Sequence, residues 1–389
     1  MIPKKGAFSK SNAYKIMKVS FPNMGQITAY KKLVEFLGHE VIMPERPTQR
    51  TFDLGVLHSP EFICYPSKVM AGTYIEACEK GAEVIISSGG SGPCRAGMYC
   101  EIHRRILKKL GYDTEIIIFD SMFQAPGYFL KQIRRVKNGK PLISVLKYGI
   151  YVIKMMEFLD NIEKDIKILR AYEVNRGDFD KCLKKINDMF YETNSMKELK
   201  KAYQTARKMI NEIPVSYREE DKKLRIGIVG EIFVVMDSAT NMNIESRLNA
   251  LGVEVTSSQY ISDWIYHNVK PGFMCNDKTH KMHKAGKKYT TCNCGGHHLG
   301  NIGWIENYAK EGYDGIVHLM PFGCLPELVT RNMTHKLSEQ FDIPILTMSI
   351  DEQNGEANTQ TRLEAFVDLC AGRKRSKLNK DNAKPYDSV

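Results

Sequence analysis

The chain has 389 residues, 43% of them hydrophobic and 10% aromatic, which is enough apolar material for two or three cores and excludes disorder as the main state. Its longest apolar runs, such as Val84-Ile-Ile and Ile116-Ile-Ile-Phe119, fall short of the roughly 18 to 20 residues of a membrane span, and no apolar segment follows Met1-Ile-Pro-Lys-Lys-Gly, so a soluble, cytoplasmic chain without a signal peptide is expected. The formal charge of +11 is spread over lysine-rich stretches without a recognition helix or stacking motif, which argues against nucleic acid and for a phosphate-bearing small molecule or an acidic partner.

In chain order, β-like runs alternate with amphipathic helices from Lys18 to about Asp120: Lys18-Val-Ser-Phe, a helix through Leu33 and Phe36, Val41-Ile-Met, a helix after Cys64, Val84-Ile-Ile, a helix after Cys94, then Glu115-Ile-Ile-Ile-Phe. Such alternation predicts a parallel sheet covered by helices. From about Leu146 to Arg218 the apolar residues Val152, Met155, Met156, Leu159, Ile162, Ile166 and Leu169 recur at three and four, a helical period. The alternation resumes at Leu224-Arg-Ile-Gly-Ile-Val and runs through Val253-Glu-Val, a long loop rich in lysine and histidine, a helix near Trp304, Gly315-Ile-Val-His-Leu, a helix after Cys324, and Pro344-Ile-Leu-Thr-Met. The expected division is an α/β domain over 1–145, a helical segment over 146–222, a second α/β domain over 223–371, and a solvated basic tail over 372–389.

The two α/β parts read as copies of one plan. Leu33-Val-Glu-Phe-Leu-Gly-His-Glu-Val41 is echoed by Arg247-Leu-Asn-Ala-Leu-Gly-Val-Glu-Val255, a helix end, a glycine stop and a strand start in the same order. Downstream, Gly81 leads in thirteen steps to Cys94 and Gly312 in twelve to Cys324, each cysteine lying in a Gly/Pro loop after a strand and before a helix. Upstream, Cys64 precedes Gly81 by seventeen residues and Cys294 precedes Gly312 by eighteen. The repeat therefore pairs Cys64 with Cys294 and Cys94 with Cys324, on the sheet rim where open parallel sheets bind ligands.

Ten cysteines in a chain of this kind are thiols and not a disulfide framework. Helix N-termini favour thiolate over thiol, and thiolate-rich sets select zinc or iron–sulfur clusters over hard cations. Cys78, Cys182 and Cys370 fall within helical apolar patterns and read as core, while Cys100, six residues past Cys94, fits either role. A second concentration, Cys275, His280, His283, Cys292, Cys294, His297 and His298, matches no C-x-x-C zinc knuckle; an independent zinc site there is the lesser reading, and His280 and His283 read as solvated loop residues.

Several stretches resemble the 2-hydroxyacyl-CoA dehydratase superfamily, in its activase-related branch near the dehydratase subunits and the double-cubane cluster proteins: Phe21-Pro-Asn-Met-Gly, Thr48-Gln-Arg-Thr-Phe-Asp-Leu-Gly, Ser59-Pro-Glu-Phe-Ile-Cys64, Gly89-Gly-Ser-Gly-Pro-Cys-Arg-Ala-Gly97, Met320-Pro-Phe-Gly-Cys-Leu-Pro-Glu327, and the long Asp351-Glu-Gln-Asn-Gly-Glu-Ala-Asn-Thr-Gln-Thr-Arg-Leu-Glu-Ala-Phe366. The resemblance implies two flavodoxin-like domains gripping an iron–sulfur cluster, fed with electrons by a separate ATP-hydrolysing activase that carries its own cluster. It matches Cys64, Cys94 and Cys324 to the branch's three recurring cysteines, and Cys292-Asn-Cys294 departs from it. As expectations, Cys64, Cys94, Cys324, Cys294, Cys292 and Cys100 are the candidate cofactor ligands, with Cys275 as an alternative sixth. Three ligands suffice for a single [4Fe–4S] cube with an open iron, whereas six permit a double-cubane [8Fe–9S] cluster of roughly eight irons, the reading that the cysteine arithmetic favours.

Two classes of function follow. One is a low-potential, oxygen-sensitive reductase or dehydratase component acting on a small molecule such as an acyl-CoA; the other is a non-catalytic iron–sulfur or zinc-binding electron carrier or assembly protein. Arg95, Glu327, Glu352, Gln353 and Arg362 are candidates to line a pocket, although Asp351-Glu-Gln and Thr361-Arg equally suit a strand-to-helix turn. Gly89-Gly-Ser-Gly lacks the Lys-Ser/Thr ending of a phosphate loop, so ATP hydrolysis is assigned to the partner. A homodimer stays open.

Overall fold

The computed structural model describes residues 15–89, 93–119, 126–269, 277–353 and 355–382, with side chains to 379. In the first half β1 (Lys18–Ser20), α1 (Ile27–Phe36), β2 (Glu40–Val41), α2 (Gln49–His58), α3 (Tyr65–Glu79), β3 (Val84–Ser88), α4 (Ala96–Lys109) and β4 (Glu115–Phe119) build a parallel sheet in the order β2-β1-β3-β4. Buried positions in β3 and β4, Val84, Ile85, Ile116 and Ile117, explain why these strands read as continuous apolar runs: helices cover both faces.

Four helices follow: α5 (Pro126–Val136), α6 (Leu142–Leu169), α7 (Asp178–Glu192) and α8 (Met196–Asn211). The predicted periodicity is the buried stripe of α6, where Val152, Met155, Met156, Leu159, Ile162 and Ile166 meet Phe179, Ile186 and Phe190 of α7 and Leu199, Ala206 and Ile210 of α8. The start of α8 is fixed by Ser195, whose hydroxyl accepts from the Glu198 N–H while the Glu198 carboxylate accepts from the Asn194 N–H. Ala29 of α1 and Ile261 join the same core, so this segment packs on both α/β parts.

The second half repeats the first. β5 (Leu224–Gly230), α9 (Ile232–Met236), α10 (Ile244–Ala250), β6 (Val253–Ser257), α11 (Ile261–Val269), α12 (Lys278–Gly286), α13 (His298–Lys310), β7 (Gly315–Pro321), α14 (Leu325–Phe341), β8 (Ile345–Ile350) and α15 (Glu356–Asn382) carry a parallel sheet ordered β6-β5-β7-β8. The fold is α/β with two flavodoxin-like sheets of equivalent strand order. The echoed glycines Gly38 and Gly252 both hold positive φ, +83° and +80°, just past a helix end, a conformation that glycine adopts without a Cβ clash. One apolar core runs between the halves, containing Ile85, Ile116, Cys64 and Tyr99 with Ile226, Val317, Phe233 and Cys324.

Two stretches differ from the expectation. The lysine- and histidine-rich loop contains α11 and α12; Asp277 caps α12 by accepting from the His280 N–H, and Met282 is buried beneath an otherwise polar helix. The basic stretch after Cys370 continues α15 to Asn382, held where Arg373 and Lys377 bind Asp342 and Lys374 faces Asp314. No described helix is long and apolar enough to cross a membrane.

Candidate functional site

Three cysteines stand at the starts of three helices, in loops that touch across the two halves. Cys64 is the N-cap of α3 and Cys324 the N-cap of α14, each followed two residues later by a proline, which forgoes an N–H that the first helical turn leaves unpaired in any case. Cys94 immediately precedes Arg95, the N-cap of α4. The loops interlock: the Tyr65 N–H donates to the Phe322 carbonyl at 3.1 Å, and Gly323 lies so close that a Cβ there would stand 3.3 Å from the Cys64 Cα. A Cβ on Gly295 would meet the Cys94 nitrogen at 3.1 Å, and one on Gly296 would come within 2.8 Å of Pro326 and 3.6 Å of the Cys94 sulfur. These glycines let the Cys292–His298 loop lie against Cys94 and the start of α14.

Burial pushes the Cys64 thiol up to about 11, with the charges of Glu231 and Cys94 adding and a hydrogen bond with Tyr99 opposing. It also raises Cys94 and lifts Cys324 well above the usual thiol range. Glu231, which follows β5, is within electrostatic reach of all three sulfurs. Its carboxylate caps α9 by accepting from the Val234 N–H at 3.0 Å, and burial brings its pKa up to about 7 despite the bonds from the Val234 and Phe233 N–H groups.

Behind Glu231 lies a polar network inside the second half. Glu327, fully buried on α14, accepts from Asn301 Nδ2 at 2.9 Å and pairs with His318 Nε2 at 2.9 Å; Asn301 Oδ1 in turn accepts from the Gly230 N–H at 3.3 Å. Residue-level reading missed Tyr99, Glu231, Asn301 and His318. Only the strand-to-helix position of Glu231, shared with the cysteines, offered a signal.

The other expected residues are placed differently. Cys100 is buried in the same apolar core as Cys64 and Cys324, its sulfur 3.6 Å from the Ser88 carbonyl. The sulfurs of Cys292 and Cys294 face each other at 3.0 Å, and Cys294 lies three residues before His297, the N-cap of α13, so it does not occupy the capping position that Cys64 holds. His267, His280 and His283 group together, with ring centroids 6.3 and 5.1 Å from His267, beside Asp277; His283 is thus held against α11 and Gly300 and is not a solvated loop residue. Among the described residues no three His, Cys, Asp or Glu side chains close on a point where one metal ion could sit. Cys275 lies outside the described residues, as do Gly90, Ser91 and Gly92 of the loop before Cys94.

Of the residues considered for a pocket, Arg95 is exposed and donates to the Phe62 carbonyl at 2.5 Å, while Glu352 pairs with Lys68 of α3 at 2.8 Å. Asp351 accepts from the Gln353 N–H and Arg362 donates to the Thr347 carbonyl, so these two tie down the turn between β8 and α15.

The donor set fits an iron–sulfur centre. The buried thiols of Cys64 and Cys324 and the half-buried thiol of Cys94, whose desolvation favours the protonated form, become thiolates when a cation replaces the proton, and soft sulfur selects iron or zinc. The three thiols come from three separate loops. The family described as 2-hydroxyglutaryl-CoA dehydratase, D-component, matches residues 100–369, a span that includes Cys292, Cys294 and Cys324 and starts after Cys64 and Cys94. No curated protein matches the sequence. With most of its length matched and its two parallel sheets of equivalent strand order, the chain belongs to the 2-hydroxyglutaryl-CoA dehydratase D-component family.

Proposed function

We propose that the chain is the iron–sulfur component of a 2-hydroxyacyl-CoA dehydratase-type system. It holds one cluster on Cys64, Cys94 and Cys324, takes electrons from an ATP-hydrolysing activase and acts on an acyl-CoA thioester. Three helix-start cysteines on neighbouring loops, with Gly323 against Cys64 and Gly296 against Cys94, carry this reading. When bound, the cluster supplies low-potential one-electron chemistry. The chain's own groups prepare the place: the helix starts turn N–H groups and dipoles toward the thiolates, and Tyr99 donates to the Cys64 sulfur. Glu231 is placed to hold or release a proton at its carboxyl beside the sulfurs. Phe62, Met98, Phe322 and Leu325, all exposed within four residues of the cysteines, give an apolar rim for substrate or activase. The placement of Cys292 against Cys294 supports a single cube over the double cluster.

Anaerobic purification followed by iron and sulfide analysis tests the reading. The expected protein is brown and holds roughly four irons per chain. Cys64→Ala, Cys94→Ala and Cys324→Ala should each lose most of the iron, while Cys182→Ala keeps it at a cost of roughly 1 to 2 kcal/mol in stability. The chain alone should not hydrolyse ATP. Iron near eight per chain, or iron unchanged in all three variants, overturns the assignment.

A further inference from the structure

The proposed trio leaves Cys292 and Cys294 without a role, and their geometry is not that of stray thiols. The two sulfurs are in contact at 3.0 Å. Cys292 is exposed, so a small reagent reaches it, whereas Cys294 is buried behind it. The loop that carries them is fixed from several sides. The Cys292 N–H donates to the Thr290 hydroxyl at 3.1 Å, and the Gly295 N–H donates to Asn293 Oδ1 at 3.3 Å. The buried ring of His298 spans the loop, with Nε2 2.7 Å from the Cys292 carbonyl and Nδ1 3.1 Å from the Gly295 carbonyl. Gly295 and Gly296, both at positive φ, seat the next turn against Cys94 and Pro326. The pair is therefore held together by its own loop and needs no bound group to bring the sulfurs into register. No third donor among the described residues joins it to make an ion site.

We propose that Cys292 and Cys294 form a reversible dithiol–disulfide pair, separate from the cluster ligands, that exchanges with low-molecular-weight disulfides. With oxidised glutathione as the partner, the Cys292 sulfur attacks one glutathione sulfur, the glutathione S–S bond breaks, and one glutathione leaves as its thiol. The Cys294 sulfur then attacks the Cys292 sulfur, the mixed disulfide breaks, and the second glutathione leaves. The two cysteines lose two electrons and two protons, and one glutathione disulfide becomes two thiols. Exposure assigns the attacking role to Cys292 and burial the resolving role to Cys294. Because Gly295 and Gly296 rest on Cys94, closure of the pair also tightens the loop that borders a proposed ligand.

The test uses the full chain as isolated under anaerobic conditions. It is equilibrated at a series of reduced-to-oxidised glutathione ratios, the free thiols are alkylated, and the products are mapped by peptide mass. One two-electron transition is expected, confined to the peptide holding Cys292 and Cys294, which becomes two hydrogens lighter, while iron per chain stays constant. In Cys294→Ser the transition should stop at a glutathione adduct on Cys292. If both thiols are alkylated at every ratio, the proposal fails. If they resist alkylation until iron is stripped, they are cluster ligands and the proposal fails equally. Either failure leaves the assignment of Cys64, Cys94 and Cys324 intact, since that rests on iron content in their own variants.

Discussion

The phenol oxygen of Tyr99 stands 2.6 Å from the sulfur of Cys64, inside the core that joins the two halves. If Cys64 is a ligand of the proposed cluster its thiolate has no proton to give, so the phenol donates and stabilises the more negative state of the sulfur. Such a bond raises a cluster's reduction potential by easing the charge that reduction adds. Tyr99→Phe keeps the ring and deletes only the donor. The variant should fold and hold iron like the parent, with its potential lowered by about 20 to 60 mV if the bond is stronger in the reduced state by about 0.5 to 1.5 kcal/mol in a one-electron couple. Redox titration followed by electron paramagnetic resonance reads the shift; an unmoved potential would show that the phenol does not favour the reduced cluster.

Lys68 and Glu352 tie the halves together away from the sulfurs. The Lys68 ammonium on α3, 2% exposed, reaches Glu352 Oε1 beyond β8 at 2.8 Å. Burial would lift the Glu352 carboxyl, but the bond and charge of Lys68 hold it below its ordinary value. Lys68→Met should destabilise the chain by roughly 3 kcal/mol, the lower end for a broken buried pair because Glu352 retains access to water. Adding Glu352→Gln should recover most of that loss, as the stranded charge is then gone. A double-mutant cycle by urea unfolding measures the coupling, and additive losses would deny the pair its bridging role.

A second contact places α3, and with it Cys64. A Cβ on Gly72 would stand 1.9 Å from the Thr51 carbonyl oxygen of α2, and one on Gly55 2.0 Å from the Lys68 carbonyl oxygen of α3, so the two helices cross backbone to backbone. Gly72→Ala forces them apart. It should cost about 1 to 3 kcal/mol and, by shifting the start of α3, lower iron per chain. Gly81→Ala, at φ +88° with nothing within 4 Å, should cost about 1 kcal/mol through backbone strain and leave iron unchanged. Equal iron in the two variants would uncouple the crossing from the site.

Local punctuation made the repeat legible before any coordinates. Leu37-Gly38 and Leu251-Gly252 end helices in the same way, and Pro or Gly beside Cys64, Cys94 and Cys324 marks helix starts. Glu231 escaped notice because a capping glutamate after a strand is ordinary, and its neighbours Asn301, His318 and Glu327 come from three other elements. α12 was hidden by composition: Lys278 to Gly286 reads as solvated, yet the Asp277 cap, buried Met282 and the close approach of Gly286 to the Leu299 carbonyl of α13 make it a packed helix. The tail misled for the same reason, since the acid that orders it, Asp342, lies some thirty residues upstream.

Asp160, 1% exposed on α6, joins the helical segment to both α/β parts. Its Oδ1 accepts from Gln26 Nε2 at 2.8 Å, just ahead of α1, and its Oδ2 accepts from the Ser262 N–H at 2.9 Å in α11. Burial, with the charge of Glu163 adding, raises its pKa from 3.8 to about 6 against these hydrogen bonds. The folded state therefore holds this proton more tightly than the unfolded chain. The stability it contributes is complete below about pH 4 and is lost as pH rises through about 6, roughly 3 kcal/mol for a shift of about two pKa units. This slope opposes the usual gain in stability of carboxylate proteins on leaving acid. Asp160→Asn fixes the neutral form and should abolish the slope, so that wild type minus variant stability falls by roughly 3 kcal/mol between about pH 4 and 7. The variant will carry its own offset, because the new amide faces Gln26 with a second donor and Gln26 must turn, releasing Glu163. Urea unfolding of both proteins at several pH values separates that constant offset from the slope. Parallel curves would mean that Asp160 does not titrate in this range, and that its two hydrogen bonds outweigh its burial.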